Sequence, residues 1–232
     1  GTDLYMFGGR GYNSISSSPD ESQNDLWKFN TTNNNWTWLK GASGKQYFGE
    51  YGTKGFATPP NKPGSKVGAS SIGANGKYYL FGGSGNNNYP NGGTSNDLWE
   101  YDPVSGNWKW LKGSNTSGAA GNYGTQGVAA STNEPSFRTN AMMWSIGNKI
   151  YMYGGTVGAN YNDLWEYDIT TFNWTWLKGS NTYNQSGVYG TKGVSAASNT
   201  PGARWQASAF TYNNKLYLFG GNGLNSGATS GE

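Results

Sequence analysis

The side chains able to do chemistry in this chain are few, and most of them recur. Among 232 residues there is no histidine and no cysteine, which removes Cys or His nucleophile and base pairs, most zinc sites and every imidazole-metal centre. The carboxylates Asp25, Asp97 and Asp163 return at fixed offsets, as do Glu100 with Glu166 and Asp102 with Asp168. An acid needed in every copy is expected to brace loops and turns through hydrogen bonds rather than to perform one reaction. Asp3, Asp20, Glu21, Glu50, Glu134 and Glu232 are unrepeated. Glycoside hydrolysis needs two carboxylates about 5 to 10 Å apart across a cleft, and the adjacency of Asp20 and Glu21 in one loop does not supply that geometry. No acidic cluster of the calcium-binding kind is present. The expectation is a chain with no catalytic residue, no metal and no cofactor.

The remaining polar and aromatic residues are carried by an internal repeat. Asn24-Asp25-Leu26-Trp27 returns as Asn96-Asp97-Leu98-Trp99 and as Asn162-Asp163-Leu164-Trp165, offsets of 72 and 66 residues, each followed by a Trp-x-Trp-Leu-Lys-Gly run. The pair Gly8-Gly9 maps onto Gly82-Gly83 and Gly154-Gly155, and Tyr51-Gly52-Thr53 onto Tyr123-Gly124-Thr125 and Tyr189-Gly190-Thr191. A chain built this way is an array whose units stack on one another.

Each repeat holds four short β signals. The innermost is expected over Val67 to Ile72, Thr139 to Trp144 and Trp205 to Phe210, followed by a tight turn at Asn75-Gly76, Gly147-Asn148 or Asn213-Asn214 whose residues tolerate positive φ. The second strand (Leu4 to Phe7, Tyr78 to Phe81, Ile150 to Tyr153, Leu216 to Phe219) ends in the glycine pair, which permits close backbone approach. The Asp-Leu-Trp run is the third strand, and the paired tryptophans of the fourth lie on one face. Successive strands of this size predict an antiparallel meander, thirteen strands in all, whose sheets stack face to face.

An aromatic strand ending in Gly-Gly, then Asp-Leu-Trp, then a tryptophan strand, resembles the kelch repeat family of β-propellers over essentially the whole chain. The period here exceeds the family's roughly 50 residues, the excess lying after the Trp-x-Trp strand. A family-like arginine opens the innermost strand at Arg138 and Arg204, with Lys66 in the first copy. The resemblance implies an all-β, kelch-type propeller segment of four-stranded antiparallel blades, about three present, in a larger ring. One domain spans 1–232, with a partial blade at 1–41, blades at 64–113 and 136–179, and a partial blade at 202–232. Flanking blades or a second copy would complete the ring. Copper radical oxidases on similar propellers need Cys and His, which this segment lacks.

Propeller connectivity gathers the second-to-third and inter-blade loops on one face, where binding residues are expected. The second-to-third loops differ between copies, and their Tyr12, Asn13, Asn87, Asn88, Tyr89, Asn160 and Tyr161 combine flat apolar faces with adaptable hydrogen bonding, suited to a glycan or a polar protein surface. Ten of the eleven tryptophans are expected in the core. Trp205, whose counterparts are Val67 and Thr139, joins Arg204 as a further candidate. Five Asn-x-Ser/Thr sequons, at Asn30, Asn35, Asn115, Asn173 and Asn184, are what this composition yields by chance.

Sixteen basic residues against thirteen acidic ones give a net charge of +3, too weak and too regular for a nucleic-acid footprint. No apolar run approaches the roughly 18 residues of a membrane span, and Gly1-Thr2-Asp3 enters a strand pattern directly, with no signal-peptide pattern. The expected function is a non-enzymatic recognition module of a secreted or cell-surface bacterial protein, binding protein or glycan on the long-loop face. The alternatives are the propeller portion of a carbohydrate-active enzyme or oxidase with its catalytic residues elsewhere, and a structural spacer in a surface filament or layer.

Overall fold

A computed structural model describes residues 3–12, 21–44, 47–88, 91–225 and 230–231, with backbone alone at 88, 91, 230 and 231. Among them all regular structure is strand, and no helix is long and apolar enough to cross a membrane. The chain forms two compact units, 1–119 and 120–232.

The first unit contains β1 (Asp3–Gly11), β2 (Glu21–Asn30), β3 (Asn35–Lys40), β4 (Lys66–Val67), β5 (Ser70–Ala74), β6 (Lys77–Phe81), β7 (Ser84–Asn88), β8 (Asn91–Thr94), β9 (Leu98–Asp102) and β10 (Asn107–Lys112). They pair into an antiparallel sheet β1-β2-β3, a four-stranded sheet β10-β9-β6-β5 and a small sheet β4-β7-β8. The second unit contains β11 (Met142–Ile146), β12 (Lys149–Tyr153), β13 (Leu164–Asp168), β14 (Asn173–Lys178), β15 (Arg204–Trp205), β16 (Ser208–Tyr212), β17 (Lys215–Phe219), β18 (Asn222–Leu224) and β19 (Ser230–Gly231). Its sheets are β11-β12-β13-β14, the hairpin β16-β17 and the small sheet β15-β18-β19. The main sheets hold the thirteen expected strands; the small sheets are additions.

Those additions arise because the innermost strand is broken. One residue at the same repeat position, Gly68, Asn140 or Gln206, takes a positive φ of 64°, 55° or 53°. This left-handed kink ends β4 and β15 and delays the hairpin strands to Ser70, Met142 and Ser208, so the expected continuous runs from Val67, Thr139 and Trp205 are corrected to two pieces. The severed piece pairs with the start of the second-to-third loop, Lys66 with Gly85 and Arg204 with Gly223. The glycine pairs behave as expected. Gly83 and Gly155 have φ of 90° and 98°, and a Cβ there would press on the Ala69 backbone or the Thr139 carbonyl.

Within each unit the sheets pack face to face. Leu26 of β2, Leu80 of β6, Trp99 of β9 and Trp108 of β10 share one core with Tyr5 and Phe7 of β1 against it; Phe7 meets Trp108 edge-on at 5.5 Å. In the second unit Met142, Trp144 and Tyr153 pack with Ala209, Leu216 and Leu218 of the neighbouring hairpin, and the Trp144 indole N–H donates to the Tyr217 carbonyl at 2.9 Å. The tryptophan expectation needs one correction. Trp36 and Trp38 on β3 are 53% and 47% exposed, whereas Trp99, Trp108, Trp165 and Trp174 are fully buried; Phe7 of the neighbouring sheet covers Trp108 and the loop residue Tyr51 covers Trp110, and no such ring from another sheet or loop covers β3 among the described residues.

The long inter-blade segments explain the extended period. Gly55 and Gly127 donate their N–H groups to the carbonyls of Trp110 and Trp176, each at 2.8 Å. The Asn61 and Asn133 amides reach the Trp108 and Trp174 carbonyls at 3.4 and 3.1 Å. The extra residues thus form a strap along the outer edge strand, satisfying backbone groups that an open edge would leave unpaired.

Candidate functional site

Each complete repeat centres on one buried acid. In the first unit Asp97 accepts from Tyr51 Oη at 2.7 Å, Lys66 Nζ at 2.9 Å, Trp99 Nε1 at 2.7 Å and Ser95 Oγ at 2.6 Å. In the second, Asp163 accepts from Tyr123 Oη at 2.6 Å, from Trp165 Nε1 at 2.7 Å and from both Arg138 nitrogens at 2.6 and 2.7 Å. Both basic partners are fully buried. Burial lowers the Lys66 ammonium despite Asp97; it also works against Arg138, but there Asp163 prevails and holds the guanidinium above its ordinary value. Burial, then the adjacent carboxylates, pushes the Tyr51 and Tyr123 phenols far up, so both stay protonated donors. An acid whose oxygens accept this many hydrogen bonds is committed to bracing the strands and loops around it. Asp25 accepts from Trp27 Nε1 at 2.5 Å.

The other recurrent acids tie strands and turns. Glu100 accepts from Lys77 and Lys109 at 2.8 and 2.9 Å and from Tyr79 Oη at 2.9 Å. Burial alone would raise its pKa, yet these bonds outweigh burial and hold it below the ordinary 4.5. Lys149 and Thr170 likewise hold Asp168 below 3.8. A carboxyl with a folded pKa below its unfolded value stabilises the fold above the unfolded value and loses that contribution as pH falls through the folded one. The denaturant midpoint is therefore expected to drop as pH is lowered through about 4.5 and below. Glu100→Gln should flatten the dependence; a midpoint rising over that range would contradict it.

The nine candidate ligand residues divide sharply. Tyr12 is 68% exposed just after β1, its carbonyl accepting from Gln23 Nε2. Asn13 and Tyr89 lie outside the described residues, and Asn88 ends β7 as backbone only. Asn87 and Tyr161 are corrected from loop tips to interior residues. Asn87 is fully buried, taking Lys66 Nζ at 2.8 Å and donating to the Gly93 carbonyl at 2.8 Å. Tyr161 is 1% exposed, lies under the Arg138 guanidinium at 3.9 Å and donates to the Phe137 carbonyl. Arg204 and Trp205 are half-buried in β15. Arg204 Nη1 donates to the Gly220 carbonyl at 3.0 Å, and with Tyr189 the side chain lines a recess of about 90 Å³.

Asn160 and Tyr161 together hold the segment that follows β14. Asn184 N donates to the Asn160 carbonyl and Asn160 N to Asn184 Oδ1, both at 2.8 Å. The Tyr161 and Tyr183 rings meet edge-on at 4.9 Å, and Arg204 N donates to the Tyr161 carbonyl at 3.0 Å. This anchoring shapes one wall of a polar cleft of about 350 Å³ at the loop end of the second unit, lined by Gln126, Lys178, Ser180, Gln185, Ser186 and Thr200. None of these six was singled out by residue type. The available signal was divergence at constant offset, since Gln185, Ser186 and Thr200 stand where the preceding copy has Ala119, Ala120 and Glu134.

The architecture has relatives. The structure titled "Structure of YjhT" superposes with a TM-score of 0.57 at 18% identity, over 96% of this chain and 57% of that one. The chain thus spans just over half the length of that structure. No curated protein matches in sequence. The model of the KLHDC2/KLHL20/DRC7 Kelch-repeats domain matches residues 1–182, a span that includes all three Gly-Gly and Asp-Leu-Trp copies. The fold is a kelch-type segment of a β-propeller, and the chain belongs to the Kelch-repeat family.

Proposed function

We propose that the chain is a non-catalytic recognition module of a secreted or cell-surface protein, holding a protein or a glycan on its long-loop end. Kelch-repeat domains act in general as interaction or structural modules. The observation that carries the reading is the fate of the recurrent acids: Asp97, Asp163 and Glu100 are buried and bound to lysine, arginine, tyrosine or tryptophan donors, and Glu166 and Asp168 are paired with Lys149 at the sheet surface. Among the side chains that diverge between copies are neutral amides, hydroxyls and tyrosines at the loop end, groups suited to recognition. The secreted or cell-surface placement rests on low charge and the absence of cysteine.

The test is a glycan array together with affinity capture by the purified chain, each hit being confirmed by titration. A saturable ligand recovered unchanged is the expected result. Chemical conversion of the ligand by the chain, or no ligand in either format, would overturn the proposal.

A further inference from the structure

We infer that the cleft beside Gln126 and Lys178 is a neutral-saccharide subsite, opened in this repeat by exchange of a lysine arm for glutamine. The inference rests on the recognition reading and deepens it. In the first unit the residue equivalent to Gln126 is Lys54. Its ammonium crosses to the Gly113 carbonyl at 2.7 Å and sits 4.4 Å from the Trp110 ring centroid. It therefore lies across the junction between the strap and the end of the fourth strand. In the second unit Gln126 is one atom shorter and reaches the corresponding Gly179 carbonyl only at 3.5 Å. That weak contact leaves the amide available, and Trp176, the counterpart of Trp110, is more exposed than Trp110.

The opposite wall changes in the same sense. Ala119 and Ala120 of one copy become Gln185 and Ser186 of the next, and Glu134 becomes Thr200. The substitutions add an amide and two hydroxyls and remove a carboxylate from the position. Amides and hydroxyls each donate and accept, as sugar hydroxyls do. The cleft wall carries no acid, one ammonium at Lys178 and a small apolar strip at Val188 and Ala197 suited to the C–H face of a sugar ring. Lys178 Nζ is oriented by the Ala197 carbonyl at 2.6 Å, which keeps its remaining N–H donors free for hydroxyl oxygens. A volume of about 350 Å³ lies within the range of small-molecule sites, about 300 to 1,000 Å³. It is large enough for one or two sugar rings. A cleft with one cation and no pocketed aromatic cage is a poor fit to a highly charged ligand or to a quaternary amine.

The test uses the full chain and a panel of neutral sugars: glucose, galactose, mannose, N-acetylglucosamine and their common disaccharides, titrated by saturation-transfer NMR and calorimetry. At least one is expected to bind saturably. Gln126→Lys restores the residue type found at positions 54 and 192, so it should leave the unfolding midpoint unchanged while weakening that sugar by at least about 10-fold through occlusion and loss of the amide. Gln185→Ala, which restores the residue of the preceding copy, should weaken it by about 3-fold or more. Binding by no sugar on the panel overturns the inference. So does sugar binding that both variants leave intact, which would put the site elsewhere while sparing the recognition reading. Capture of a protein ligand alone likewise leaves that reading standing and removes the saccharide subsite.

Discussion

Arg138→Ala is expected to lower the stability of the second unit by about 3–5 kcal/mol, the cost of leaving one partner of a buried ion pair unmatched. The guanidinium is fully buried and grips Asp163 through two nitrogens. It also donates to the carbonyls of Ser136 and Gly154 at 3.0 and 2.9 Å. Its removal strands a carboxylate that Tyr123 and Trp165 can only partly satisfy. Arg138→Lys should cost less, because charge is retained, but it should not be neutral. Lys66 manages the equivalent position with help from Asn87 and Ser95, whereas the residue at the Ser95 position in the second unit is Tyr161. A lysine there forfeits the paired geometry without the Asn87 amide and Ser95 hydroxyl that serve Lys66. Denaturant titration of the three proteins decides the matter, and a loss below about 1 kcal/mol for Arg138→Ala would mean the pair is structurally incidental.

Trp99→Ala is expected to cost about 3–5 kcal/mol, the range for large aromatic truncation in a packed core. The indole is fully buried, meets Tyr51 at 4.8 Å and Trp108 edge-on at 6.4 Å, and donates its N–H to Asp97 at 2.7 Å. Truncation opens a cavity and removes a donor from the central acid at the same time. Trp36→Ala, in a tryptophan of the same repeated motif that is 53% exposed, should stay within about 1 kcal/mol. Comparable losses for the two would show that motif identity, rather than burial, sets the energy.

Much of the scaffold was legible in residue order. Asp-Leu-Trp, the glycine pairs and the Trp-x-Trp strands recur because each copy presents a tryptophan donor to its acid and a similar flat surface for sheet packing. Recurrence therefore reported strands, their order and the bracing role of the acids. It could not report the kink at Gly68, Asn140 and Gln206, since one left-handed residue leaves no periodic trace and glutamine there carries no turn signal. Nor could it separate Trp36 from Trp108, which sit at equivalent positions and differ in what covers them.

The candidate site was less legible. Tyr161 and Asn87 were singled out as unrepeated polar loop residues, but long polar side chains in loops can fold inward, and these two are held by Arg138 and Lys66. Gln126, Gln185 and Ser186 carried the opposite signal. They sit in loops that otherwise match closely between copies, where a few exchanges look like drift until the walls are assembled around them.

The amino-acid order by itself determined the array, the strand pattern and the internal use of the recurrent acids, because those follow from local spacing and side-chain type. Only the tertiary structure decided which loop residues face inward, how the long segments strap the outer strands and where a cleft opens. Those outcomes depend on segments distant in the chain meeting one another, such as Gln126 with Gly179 and Asn160 with Asn184. No local pattern encodes such a meeting; it exists only once the sheets have stacked.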